Sequence, residues 1–151
     1  SVTLTSSASS VTFSGIAAGG DLVFVSNYEI TGGLTTLTLR LNGDTNNANY
    51  SVVRMQGNGT TAASSSSASS ARLDGDAQTD GSRGAILIQL SDYSATDKHK
   101  SALVRINNTS DSVEATAFRY ASTTAVTSVS LVVTTNFAIG STFHLYQLVS
   151  E

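Results

Sequence analysis

The sequence predicts an all-β domain, an antiparallel jelly-roll-like β-sandwich of eight to ten strands with no significant helix. Three observations carry this. Apolar residues alternate with Ser, Thr and charged residues in run after run, the period of a strand with one buried face. No segment of useful length holds the spacing of an amphipathic helix. Clusters of Gly, Asn, Asp and Ser punctuate the runs where turns belong. At 151 residues the chain reads as one domain, large enough to bury roughly 70% of its unfolded surface without cross-links.

The stretch Val2-Thr3-Leu4-Thr5 alternates briefly before a Ser/Ala run. With so little to bury, residues 1–10 form either an edge strand or an arm that docks on a neighbour, and residues 11–151 form the domain proper. Residues 11–16 read as the first core strand, stopped by Ala17-Ala18-Gly19-Gly20. Residues 21–30 form a long strand with Leu22, Phe24, Tyr28 and Ile30 facing one way, Val23 and Val25 the other. After Gly32-Gly33, residues 34–41 alternate with Leu37, Leu39 and Leu41 inward against Thr36, Thr38 and Arg40. A polar loop over 42–49 feeds a strand at 50–56. Residues 57–70 are low in complexity and hold no large apolar side chain to offset their ordering entropy. They are read as an exposed loop inside the domain.

A turn-rich connection over 71–81 precedes strands at 84–90, 100–106 and 113–120, with loops at 92–98 and 107–111. The closing hairpin comes last. Val129, Leu131 and Val133 alternate with Ser128, Ser130 and Val132, and Gly140-Ser141 predicts a turn with positive φ. The run over 142–149 then sets Phe143, Leu145 and Val149 on one side and His144, Tyr146 and Leu148 on the other. A strand apolar on both faces reads as interior. The closing strand is therefore expected to be central, with folding complete only when the whole chain is present.

Two stretches carry a family resemblance. One is Leu39-Arg40-Leu41-Asn42-Gly43-Asp44-Thr45, followed by Asn49-Tyr50. The other is the ending from Ser128-Val129-Ser130-Leu131 through Asn136-Phe137-Ala138-Ile139-Gly140-Ser141 to Leu145-Tyr146-Gln147-Leu148. In this order, with the strand over 22–30 ahead of the first, they resemble a group of tailed-bacteriophage virion structural proteins. Those chains finish on Phe, two residues, Gly-Ser, then a Leu-Tyr-Gly-aliphatic strand; here Gln147 replaces the Gly, a departure that bears on the local strand bend. The resemblance implies a jelly-roll capsid decoration (cement) protein on the outer head surface, assembled in the host bacterial cytoplasm. It also implies a homotrimer that clamps neighbouring copies of the major capsid protein. The candidate capsid or subunit contacts are Val2 and Leu4 in the arm, Tyr50 and Tyr120 as amphipathic interface residues, and His144 as a packed or interfacial histidine. Two alternatives stand beside this: a tail or head-fibre domain that binds host surface glycans through loop Tyr and Asn residues, and a free carbohydrate-binding module. An aromatic content of 7% without Trp leans against both.

Composition narrows the chemistry. A net charge of −3 with few ionisable groups supplies no basic patch, so no nucleic-acid partner is expected. No apolar run approaches the roughly 20 residues of a membrane span. Without cysteine there is neither a disulfide nor a thiolate metal site. Two histidines and no Gly-x-Ser-x-Gly give no nucleophile–base constellation, so no enzyme is expected. Glu29 and Glu114 are the one candidate carboxylate pair of a glycosidase, with two exposed strand residues as the stronger reading. Asp74, Asp76, Gln78 and Asp80 repeat every second residue in the manner of a calcium loop. Thr79 and Ala85 stand where an EF-hand-type loop needs Gly and Glu, so the stretch reads as a solvated turn. No metal or cofactor is expected.

Overall fold

The computed structural model describes residues 1–75, 77–108 and 112–148. Among these residues eleven strands account for nearly all regular structure, with one 3-10 turn over Asn47–Asn49. The strands are β1 (Val2–Thr3), β2 (Ala8–Ser14), β3 (Asp21–Thr31), β4 (Thr38–Leu41), β5 (Tyr50–Gly57) and β6 (Ala62–Ser67). They continue with β7 (Arg83–Ser91), β8 (Lys100–Asn108), β9 (Val113–Tyr120), β10 (Ser128–Phe137) and β11 (Thr142–Leu148). Every pairing is antiparallel.

The large sheet runs β1-β11-β3-β7-β8-β9-β5-β6, and the small one places β10 between β2 and β4. Residues 71–73 extend the small sheet beyond β4, through Leu39 N–H to Ala71 O (3.1 Å) and Leu73 N–H to Leu37 O (2.8 Å). Eight segments therefore wind as a jelly roll: β1-β11-β3-β7 in one layer, β2-β10-β4 and residues 71–73 in the other. The other four strands are insertions. The β5–β6 hairpin leaves the chain between β4 and residue 71, and the β8–β9 pair leaves between β7 and β10. Both dock beyond β7 and lengthen the large sheet into a wing.

The core lies between the layers. Inward positions of β3, β7 and β10 put Leu22, Phe24, Ile30, Ile86, Ile88, Val129 and Leu131 out of solvent. The layers join at a corner where the end of β10 switches sheets, pairing Phe137 with Ile30 of β3. There the Phe137 ring meets Tyr28 at 6.0 Å and Phe143 at 5.0 Å, both edge-on, the arrangement that aromatic quadrupoles favour. Gly140 turns the chain from β10 to β11 at φ 86°, as expected.

Three expectations are corrected. The closing strand β11 is not central: it lies between β3 and the two-residue β1, and its outer face is open. The interior strand is β10. Residues 34–41 give only a four-residue strand, because ahead of Thr38 the backbone pairs away from β10, Thr35 with Gln78 and the Leu37 N–H with the Asp74 carboxylate. Residues 57–70 are not all loop, since 62–67 form an edge strand on β5; backbone hydrogen bonds to β5 order it with no buried side chain. Of the two readings of residues 1–10, the edge strand is the one seen: β1 forms the edge beside β11, and β2 starts at Ala8. Val149 lies outside the described residues.

The Asn-Gly turn after β4 ties β4 to the segment that enters β10 in the small sheet. Asn42 adopts φ 54°, a region that asparagine tolerates better than most residues. Its Nδ2 donates to Ala125 O (2.9 Å), and its Oδ1 accepts from Thr127 N–H (2.8 Å) and Ser128 N–H (3.3 Å). Asn42→Ala forfeits these bonds and strains the turn. It is expected to destabilise the fold by about 2 kcal/mol, measurable as a lower urea midpoint with an unchanged slope.

Candidate functional site

The wing has two faces of different chemistry. Its inner face is closed by residues 71–75, which cross beneath it. Thr116 Oγ1 donates to Leu73 O (2.7 Å), Arg54 Nη1 to Arg72 O (3.0 Å), and Gly75 N–H to the Glu114 carboxylate. Arg72 pairs with the fully buried Asp74 (Nε to Oδ1 2.9 Å), whose other oxygen accepts Leu37 N–H at 3.1 Å. This clasp fastens the inserted strands to the jelly roll.

Burial raises the Asp74 carboxyl to a pKa of about 6, against the opposing pull of Arg72 and the Leu37 N–H. The folded state thus holds this proton more tightly than the unfolded chain does. The resulting stability is fully present below about pH 4 and is lost as pH rises through about 6. Its size is on the order of 2–3 kcal/mol. Asp44 works in the other direction, held below its ordinary value by Asn49 and the Asn46 N–H, so its stabilisation fades only at lower pH. Thermal unfolding is expected at a higher temperature at pH 5 than at pH 7.5, and Asp74→Asn should flatten that slope.

These contacts revise several sequence-level readings. Asp74 and Gln78 are buried, so neither belongs to a solvated turn. Gln78 exchanges backbone hydrogen bonds with Thr35, and Asp80 accepts the Gly32 N–H; Asp76 lies outside the described residues. Among the described residues no cluster of three His or acidic groups converges to hold a metal. Glu29 and Glu114 do not face each other. Glu29 pairs with Arg83 (2.8 Å) on the outer face of β3, and Glu114 is buried on the inner face of β9, three strands away.

Tyr50 and Tyr120 stack at 4.9 Å inside the core, 1% and 5% exposed, so neither is offered to a partner. They share the inward parity of Val52 and Phe118. Tyr28 and Tyr93 are buried as well, which dismantles the tyrosine platform of a sugar site; Tyr146 is the exposed one. Val2 and Leu4 are half-buried at the edge beside β11. His144 alone among the five candidate contacts lies on the open outer face, its ring stacked 6.2 Å from Tyr146. Sequence reasoning missed Lys100, which is fully buried with its ammonium against Ala95 O, Lys98 O and Thr123 O.

The outer face of the large sheet is where the molecule offers a surface. Strand alternation that sends Val52, Val104 and Phe118 inward sends Val53, Leu103 and Ala117 outward. In register these align as a row: Val53, Ala117, Leu103, Gln89, Val23 and Tyr146. The neighbouring row runs Met55, Ala115, Arg105, Leu87, Val25 and His144. Val53 is 56% exposed, Met55 64% and Leu103 65%. Isolated exposed apolar residues are ordinary, but two adjoining rows across six strands form a patch of the kind that marks a protein contact. Among the described residues no nucleophile–base pair stands on this face, and its arginines, Arg83, Arg105 and Arg119, suit binding. No family model matches the chain and no curated protein matches it, so the rows of this outer face carry the functional argument.

Proposed function

We propose that the chain is a non-enzymatic structural subunit, best read as a bacteriophage capsid decoration protein that binds the assembled head and stabilises it. The observation that carries this reading is the apolar outer face of the large sheet, the kind of surface by which structural subunits pack against one another. The likeness of the two sequence stretches to tailed-phage virion proteins supplies the setting. A subunit that binds only the assembled shell stabilises it by mass action, one binding free energy for each occupied site. With 13% of residues charged, apolar and shape-matched contacts dominate over ion pairs. Burial of four of the five tyrosines weighs against the glycan-binding alternatives, which depend on exposed aromatic rings.

Quantifying the chain against the major capsid protein in denatured, purified particles tests the reading. Hundreds of copies per particle are expected of a protein spread over a capsid lattice. A few dozen or fewer would move it to a vertex, fibre or tail, and absence from the particle would sink the proposal.

A further inference from the structure

We propose that the outer face of the large sheet is covered by the same face of a second copy, across a two-fold axis parallel to the strands between β7 and β8. The inference rests on reading that face as a protein contact, and it names the occupant.

Area, charge and shape select a second copy. Six strands from β5 to β11, at about 4.8 Å spacing, and four outward rows about 6.8 Å apart cover roughly 800 Å2, the share of one partner in a standard interface. The proposed axis keeps each row level while exchanging β8 with β7, β9 with β3 and β5 with β11. Aligned sheets pack within about 30° of parallel, so opposed strands stay close to these partners.

Arg119 lies level with Asp21, through Ser101 and Ser91, in the next register step after Leu90–Leu22. The exchange sets Arg119 of each copy opposite Asp21 of the other. Both groups are oriented within their own chains, Arg119 by His99 Nδ1 (2.7 Å) and Asp21 by the Asp92 N–H (2.9 Å), which lowers the ordering cost of pairing. Over β9, the small Ala115 and Ala117 leave a hollow of about 260 Å3 between β5 and β8. The same exchange lays Val23 and Val25 of the second copy over that hollow and Tyr146 against Val53. An isologous contact is self-complementary by necessity; the Arg119–Asp21 pair and the hollow beneath Val23 and Val25 meet that requirement about one axis, while Arg105 of each copy comes to lie over Leu87 of the other.

Sedimentation equilibrium of the full chain, from micromolar to hundreds of micromolar, tests the pairing. A dimer is expected. Leu103→Glu, at an exposed position, should weaken it at least tenfold with the circular dichroism spectrum unchanged. Arg119→Asp and Asp21→Arg should each weaken it at least tenfold, and the double variant should recover most of the loss. A monomer throughout, a trimer, or a dimer indifferent to Leu103→Glu overturns the proposal. So does a failure of the folded double variant to recover. A monomer that is still abundant on particles would overturn this pairing and leave the decoration reading standing.

Discussion

Phe137→Ala is expected to destabilise the protein by about 3–5 kcal/mol, a large part of the 5–15 kcal/mol that holds a domain of this kind together. The side chain is fully buried at the corner where β10 passes from the small sheet to the large one. Its ring touches Tyr28 from one strand and Phe143 from another. Truncation therefore opens a cavity where the two layers are joined, and neither layer can shift into it without breaking the Phe137–Ile30 register. Urea unfolding should show a lower midpoint. Ile139→Ala, two residues further on and 68% exposed, is the control and should change stability by no more than about 0.5 kcal/mol.

Lys100→Met is expected to lower stability by about 2–4 kcal/mol, although methionine matches the length of the lysine stem and is more apolar. The ammonium is the shared donor for Ala95, Lys98 and Thr123 carbonyls, drawing the loop before β8 and the segment after β9 onto one point. Burial holds its pKa below the usual lysine value; the three acceptors offset that penalty. Methionine fills the space but leaves the carbonyls without a donor, so packing alone does not rescue the site. The check is a comparison with Lys98→Met, whose side chain is 52% exposed in a surface ion pair with Asp92 and should be near neutral.

The period-two pattern was enough to read most strands, because a side chain's parity follows from backbone pleating alone. The same parity held more than was taken from it. Lys100 shares its phase with Ala102, Val104 and Ile106, and Glu114 shares its phase with Phe118, so both were legible as inward-facing polar groups. The interface assignment of Tyr50 and Tyr120 rested on residue type where phase already placed them inside. Two features were not legible. The β6 strand is held by backbone bonds that leave no side-chain signature. The apolar rows of the outer face exist only once β5, β9, β8, β7 and β3 are set side by side, and that order comes from long-range pairing.

The sequestered ammonium of Lys100 has a practical corollary. The chain has two lysines and no cysteine, and only Lys98 presents its side-chain amine to solvent. An amine-directed fluorophore, applied above the pKa of Lys98 once the α-amine has been blocked, would mark that side chain and no other in the folded protein. A dye at this address sits on the loop that Lys100 gathers in, and would brighten or dim as that loop lets go.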